Sequence, residues 1–132
     1  MNWRRNELLG IVSPSNWLSE NEARAINDHL STFISRSQYG LDAARFEGIE
    51  RLSAEAASSH WISRRVSSSE SLFILFESQQ ACTLDSQTFV HRWDELFCPA
   101  RDDVLIFPKP LRWLLYYCHE DFFEFGLIKQ PT

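Results

Sequence analysis

Side chains that could carry out chemistry are concentrated near the end of the chain, in the segment LLYYCHEDFFEFG (114–126). Its polar residues are, in order, Cys118, His119, Glu120 and Asp121. A thiol beside an imidazole can form a nucleophilic pair, but adjacent strand residues point to opposite faces, which disfavours that pairing for Cys118 and His119. A metal site could draw on this group and on His91, but the spacing matches no known ligand motif. We therefore predict no catalytic residue, no metal site and no cofactor.

Motifs that would indicate an enzyme are absent from the sequence. It contains no nucleophile elbow, phosphate-binding loop, H-E-x-x-H motif or G-x-G-x-x-G motif. A hydrolase-like site near His91, His119 and Glu120 remains an alternative, because burial of a carboxylate in an apolar pocket cannot be deduced from sequence.

Carboxylates at the ends of predicted elements favour a binding surface instead. They lie in three pairs: Asp94 and Glu95 end a predicted helix, Asp102 and Asp103 precede a predicted strand, and Glu120 and Asp121 occupy a predicted hairpin turn. If the strands are antiparallel neighbours, all six meet at one sheet edge beside Trp93, Trp113 and His119. An acidic rim around aromatic anchors is suited to a basic protein partner. The alternative is that these carboxylates are ordinary solvated loop residues.

The charge distribution also favours a protein partner over nucleic acid. Residues 1–69 carry eight Lys/Arg and eight Asp/Glu, whereas residues 70–132 carry five and ten, so the net charge of −5 lies in the second half. Such a surface repels phosphates and attracts basic proteins. The three cysteines show no C-x-x-C spacing, and no apolar run approaches a membrane span, so we expect a soluble, cytoplasmic protein.

The helical and strand patterns predict an α+β fold in a single domain, 1–132, with a helical half (1–69) and a strand-rich acidic half (70–132). Ser19 and Glu22 form a capping box for a helix, Ser53 can cap a second helix over Ala54–Trp61, and Asp85 or Ser86 can cap a third. Apolar runs predict five strands, within SLFILFES, ACTLD, DDVLIFP, RWLLYYCH and FFEFGLI. The order αα-ββ-α-βββ indicates an antiparallel sheet of about five strands with helices packed on one face.

Residues 89–126, FVHRWDELFCPARDDVLIFPKPLRWLLYYCHEDFFEFG, resemble the C-terminal part of small bacterial α+β immunity proteins, which neutralise polymorphic or contact-delivered toxins. The resemblance implies an inhibitor that binds a cognate toxin domain and blocks its active site. It carries no catalytic residues. The predicted partner-binding residues are Trp93, Asp94, Glu95, Asp102, Asp103, His119, Glu120 and Asp121. The protein could be a monomer or a homodimer, and a homodimeric structural module using the second sheet face is a further alternative.

Overall fold

The main element of the fold is a six-stranded antiparallel sheet. The computed structural model describes residues 3–35, 40–54, 59–67, 69–77 and 79–129. Strands β1 (Ile34–Ser35) and β2 (Gly40–Leu41) form a separate small sheet; the main sheet comprises β3 (Phe46–Ser53), β4 (Ser71–Glu77), β5 (Gln80–Asp85), β6 (Val104–Pro108), β7 (Trp113–Cys118) and β8 (Phe122–Ile128). Within the described residues the helices are α1 (Trp3–Glu7), α2 (Glu20–Leu30), α3 (Ser59–Ser63) and α4 (Ser86–Leu96). The α+β prediction is confirmed, with six strands in the main sheet rather than about five.

The strand order β3-β8-β7-β6-β4-β5 places β7 inside the sheet, and all six of its residues are buried. β6 and β7 are antiparallel, with Val104 opposite Tyr117. The start of β6 and the end of β7 therefore lie at the same edge, as the strand patterns predicted.

Helices cover both faces of the sheet, so the prediction of helices on one face only is wrong. The side chains of β7 alternate between two cores. Trp113, Leu115 and Tyr117 pack in the core that also contains Ile62 of α3 and Phe89 of α4. Leu114, Tyr116 and Cys118 share the opposite core with Ala23 and Leu30 of α2. A strand that is apolar on both sides requires cover on both sides.

Half of the second predicted helix, Ala54–Trp61, lies outside the described residues, and its last three residues fall in α3. Residues through Ser53 form β3, which pairs with β8 along Glu50↔Phe125 and Leu52↔Phe123. The helix in this region is the short α3, and residues 55–58 lie outside the described residues. β3 adds a strand from the half predicted to be helical, so the order αα-ββ-α-βββ is incomplete.

Two of the predicted helix caps are confirmed. Ser19 and Glu22 bond reciprocally at the start of α2, with Glu22 N–H donating to Ser19 Oγ (3.1 Å) and Ser19 N–H to Glu22 Oε1 (3.0 Å). Asp85 caps α4 by accepting a bond from Thr88 N–H (2.9 Å). α4 is interrupted at Arg92 (φ −130°, ψ 17°), so its last residues are set off from the preceding turns. None of the helices in the described ranges is both long and apolar enough to cross a bilayer.

Candidate protein-binding edge

Backbone hydrogen bonds fix three segments together at one edge of the sheet. Ala100 N–H donates to the His119 carbonyl (2.7 Å), joining the loop after α4 to the 119–121 turn. Ala54 N–H donates to the Asp121 carbonyl (2.8 Å), joining the end of β3 to the same turn. Asp121 adopts a left-handed conformation (φ 65°), which aspartate tolerates better than most residues. We call the surface of residues 93–95, 103 and 119–121 the acidic edge.

Asp103 and His119 are in direct contact at the acidic edge. Asp103 Oδ1 accepts bonds from the His119 backbone N–H (2.9 Å) and the Tyr116 hydroxyl (3.1 Å), and it lies 3.0 Å from His119 Nδ1. Burial raises the pKa of Asp103, but these hydrogen bonds outweigh that effect and lower it overall. The bond to Asp103 raises the pKa of His119 above its ordinary value. The pair therefore favours a carboxylate facing a protonated imidazole.

Asp102 does not lie on the surface with Asp103. Its exposed fraction is 3%, because adjacent residues entering a strand point to opposite sides. The carboxylate accepts bonds from Cys98 N–H (2.8 Å), Arg101 Nη2 (2.8 Å) and the buried Arg4 (3.2 Å). Burial raises the pKa of Asp102, and these donors lower it by more, so its net shift is downward. Asp102 holds α1 and the loop after α4 together and is not available to a partner in this conformation.

Trp93, Asp94 and Asp121 line one shallow depression of about 230 Å³, which we call the edge pocket. Its other lining residues are Ala54, Phe97, Pro99 and Tyr117. Trp93 packs edge-on against Phe123, with ring centroids 5.1 Å apart. The Tyr117 hydroxyl donates to Asp121 Oδ1 (2.7 Å). The pocket thus has an apolar, aromatic floor and two carboxylates among its walls.

The remaining predicted residues differ in how far their charges are already neutralised. Glu95 binds Arg92 of the same helix through two nitrogens, both at 2.9 Å. Glu120 is exposed at the tip of the turn. In the described part of the chain, no lysine or arginine forms an ion pair with Asp94, Glu120 or Asp121. Arg51 lies beside the turn, with its guanidinium 3.7 Å from the Phe122 ring centroid. The uncompensated charge of the acidic edge is therefore negative.

Trp113 and His91 do not lie beside His119, where the sequence pattern had grouped them. Trp113 is buried at the far end of β7 from His119, opposite Leu127 of β8, so it is not an anchor at the acidic edge. His91 lines a groove between α3 and α4 together with His60. His119, in contrast, is bonded to Asp103 at the sheet edge.

Cys118 lies beside His119 but is not set up as a nucleophile. Its Sγ is 3.9 Å from His119 Nδ1, which is the same nitrogen that faces Asp103. A catalytic Cys–His–Asp triad would use both ring nitrogens of the histidine, one facing the thiol and the other facing the carboxylate. Burial also raises the pKa of Cys118, which disfavours the reactive thiolate.

Sequence reasoning missed the residues that position the edge, namely Arg4, Arg101, Tyr116 and Tyr117. The two tyrosines were detectable in principle, because strand alternation sends their hydroxyls to opposite faces, towards Asp103 and Asp121. Arg4 was not, because its partner Asp102 lies at the other end of the chain.

No protein-family model matches this chain, and a search of curated proteins found no similar sequence.

Proposed function

We propose that this protein is a bacterial cytoplasmic inhibitor that binds a cognate toxin domain through the acidic edge and blocks its active site. The class of partner rests on the resemblance of residues 89–126 to immunity proteins. The observation that carries the choice of surface is that backbone hydrogen bonds join the loop after α4 and the end of β3 to the 119–121 turn, beside the start of β6.

The charge of this edge supports a basic partner. Asp94, Glu120 and Asp121 carry charges without an arginine or lysine partner in the described ranges, so a partner's cations would not have to displace an internal ion pair. Complementary charges accelerate encounter and select among partners, with an effect that weakens as salt increases. Glu95 and Asp103 contribute less, because Arg92 and His119 already bind them.

The edge pocket supports a specific anchor for one partner side chain. Its floor of Phe97 and Tyr117 suits the aliphatic stem of a lysine or arginine, while Asp94 and Asp121 suit the charged end. Trp93 is half-buried and held against Phe123, so it can contact the same side chain without a large loss of rotamer entropy. We therefore expect the partner's hot spot to be a cationic side chain.

The test is co-expression with the product of the gene immediately upstream. That product alone should stop growth, and together with this protein it should be harmless and co-purify in a complex near 1:1. The double variant Asp94→Lys/Glu120→Lys should lose protection and weaken binding by more than about a hundredfold. Both side chains are exposed and make no internal ion pair in the described residues, so the fold should survive.

A matched control separates this surface from total charge. Asp28→Lys/Glu47→Lys makes the same change in net charge at exposed positions on α2 and β3, away from the acidic edge. It should retain protection and affinity. Equal losses in both double variants would reject the acidic edge as the binding surface. A harmless neighbour that does not co-purify would reject the proposed partner class.

A further inference from the structure

The ligand atoms of Asp103, Cys118 and His119 converge at the rim of the acidic edge. A carboxylate oxygen, the Cys118 Sγ and an imidazole nitrogen all lie within 4.8 Å of one another. They come from the start of β6 and the end of β7, which are adjacent strands of the sheet. The sequence pattern had grouped His119 with Glu120 and Asp121, and the fold instead brings Asp103 to it from across the strand pair.

We infer that Asp103, Cys118 and His119 bind one divalent transition-metal ion with the ligand preferences of zinc. Thiolate, imidazole and carboxylate are the three side-chain ligand types that zinc uses in proteins. This inference concerns the isolated protein and does not depend on the proposed inhibitor function.

Two of the three separations between ligand atoms are close to those of a tetrahedral zinc site, and the third, between Cys118 Sγ and an Asp103 oxygen, is at most 4.8 Å. Ideal bond lengths place sulfur and nitrogen ligands about 3.6 Å apart, and nitrogen and oxygen ligands about 3.3 Å apart. Here Cys118 Sγ lies 3.9 Å from His119 Nδ1, and the two Asp103 oxygens lie 3.0 and 3.2 Å from the same nitrogen. Small side-chain rotations would bring the three atoms around one ion.

The surroundings of these ligands fit a metal site in two further ways. The Tyr116 hydroxyl and the His119 backbone N–H both donate to Asp103 Oδ1, which orients the carboxylate as an outer group does in known sites. The Cys118 side chain is buried, whereas those of Asp103 and His119 are about half exposed, so one side of the group is open to solvent. Three protein ligands leave a fourth position for water or for an incoming donor.

The proton balance of binding is straightforward. The Cys118 thiol releases its proton to solvent and binds as the thiolate. A neutral His119 vacates Nδ1 and carries its proton on Nε2, and a protonated His119 releases one proton in addition. The Nδ1 bond to Asp103 is replaced by two bonds to the same ion.

The test uses Co²⁺ as a spectroscopic probe and Zn²⁺ as its competitor, with the metal-free protein. We expect one Co²⁺ per chain, a near-ultraviolet thiolate-to-cobalt charge-transfer band, and loss of that band when Zn²⁺ is added. Cys118→Ser should abolish the band, and His119→Gln should weaken Co²⁺ binding by more than about tenfold. His119→Gln also serves as the variant least able to perturb folding, because His119 is exposed.

Cys98→Ser is the matched control, because Cys98 is the exposed cysteine in the described part of the chain. The band should be unchanged in this variant. Absence of the band in the unmodified protein, its loss in Cys98→Ser, its persistence in Cys118→Ser, or an unchanged Co²⁺ affinity in His119→Gln would overturn the inference.

Discussion

Asp102→Asn tests whether the buried carboxylate of Asp102 stabilises the fold beneath the acidic edge. The asparagine oxygen can still accept the bond from Cys98 N–H, so the change removes mainly the charge. Arg4 is 2% exposed and would lose its buried counter-ion. Breaking a buried ion pair by removing one partner costs about 3–5 kcal/mol. Arg4 keeps a bond to Gln80 Oε1 (2.9 Å), so we expect a cost around the lower end of that range, about 2–4 kcal/mol.

Urea unfolding followed by tryptophan fluorescence measures this cost. With a slope of about 1.5–2 kcal/mol per molar urea, the midpoint should fall by about 1–2.5 M. Glu95→Gln is the control, because it breaks the exposed pair with Arg92 and should leave the midpoint unchanged within error. A midpoint shift for Asp102→Asn as small as that of the control would refute the assignment of a stabilising buried pair.

The pH dependence of the same comparison provides an independent check. The folded pKa of Asp102 is lower than its ordinary value of 3.8, so its stabilisation is present above that value and is lost as pH falls through the folded pKa. The difference in unfolding free energy between the unmodified protein and Asp102→Asn should be fully present at about pH 7 and should shrink below about pH 4. A difference that is constant down to the lowest accessible pH would mean that the lost charge is not its cause.

Two further predictions concern the core and the cysteines. Gly126→Ala should destabilise the protein by about 1–3 kcal/mol in the same urea assay, because the added Cβ would lie 2.6 Å from the buried Phe46 ring. In Gly48→Ala the added Cβ has nothing within 4 Å, so the free energy of unfolding should change by no more than about 0.5 kcal/mol. Equal effects of the two substitutions would contradict the close approach of Gly126 to Phe46. Thiol labelling of the native, metal-free protein, followed by mass spectrometry, should modify Cys98 first, because Cys98 is exposed. Burial raises the pKa of Cys82 to about 12, and Cys118 is also buried. Comparable labelling rates for Cys82 and Cys98 would contradict the burial of Cys82.

The elements that sequence predicted best are those whose signals are local. The capping box of Ser19 and Glu22 and the cap at Asp85 depend on residues three positions apart, and both are present. The apolar run that forms β7 predicted a strand, and the strand lies inside the sheet with all six residues buried.

The errors occurred where distant residues decide the structure. β3 was not among the predicted strands, because it forms by pairing with β8, which lies near the other end of the chain. Asp102 and Asp103 are adjacent and identical residues, and the sequence does not indicate which of them meets the buried Arg4 and which meets His119. Pairing across the strands likewise created the Asp103–Cys118–His119 group, which no sequence spacing indicates.

The position of β8 has a consequence for how the chain acquires its structure during synthesis. β8 lies between β3 and β7, so β3 has no main-sheet neighbour until residues 122–128 have left the ribosome. Until then β7 also exposes one unpaired edge, and such edges can pair with other chains. The same strand completes the 119–121 turn at the acidic edge. We therefore expect that nascent chains ending before Phe122 are prone to aggregate, and that the proposed binding surface is acquired late in translation rather than progressively.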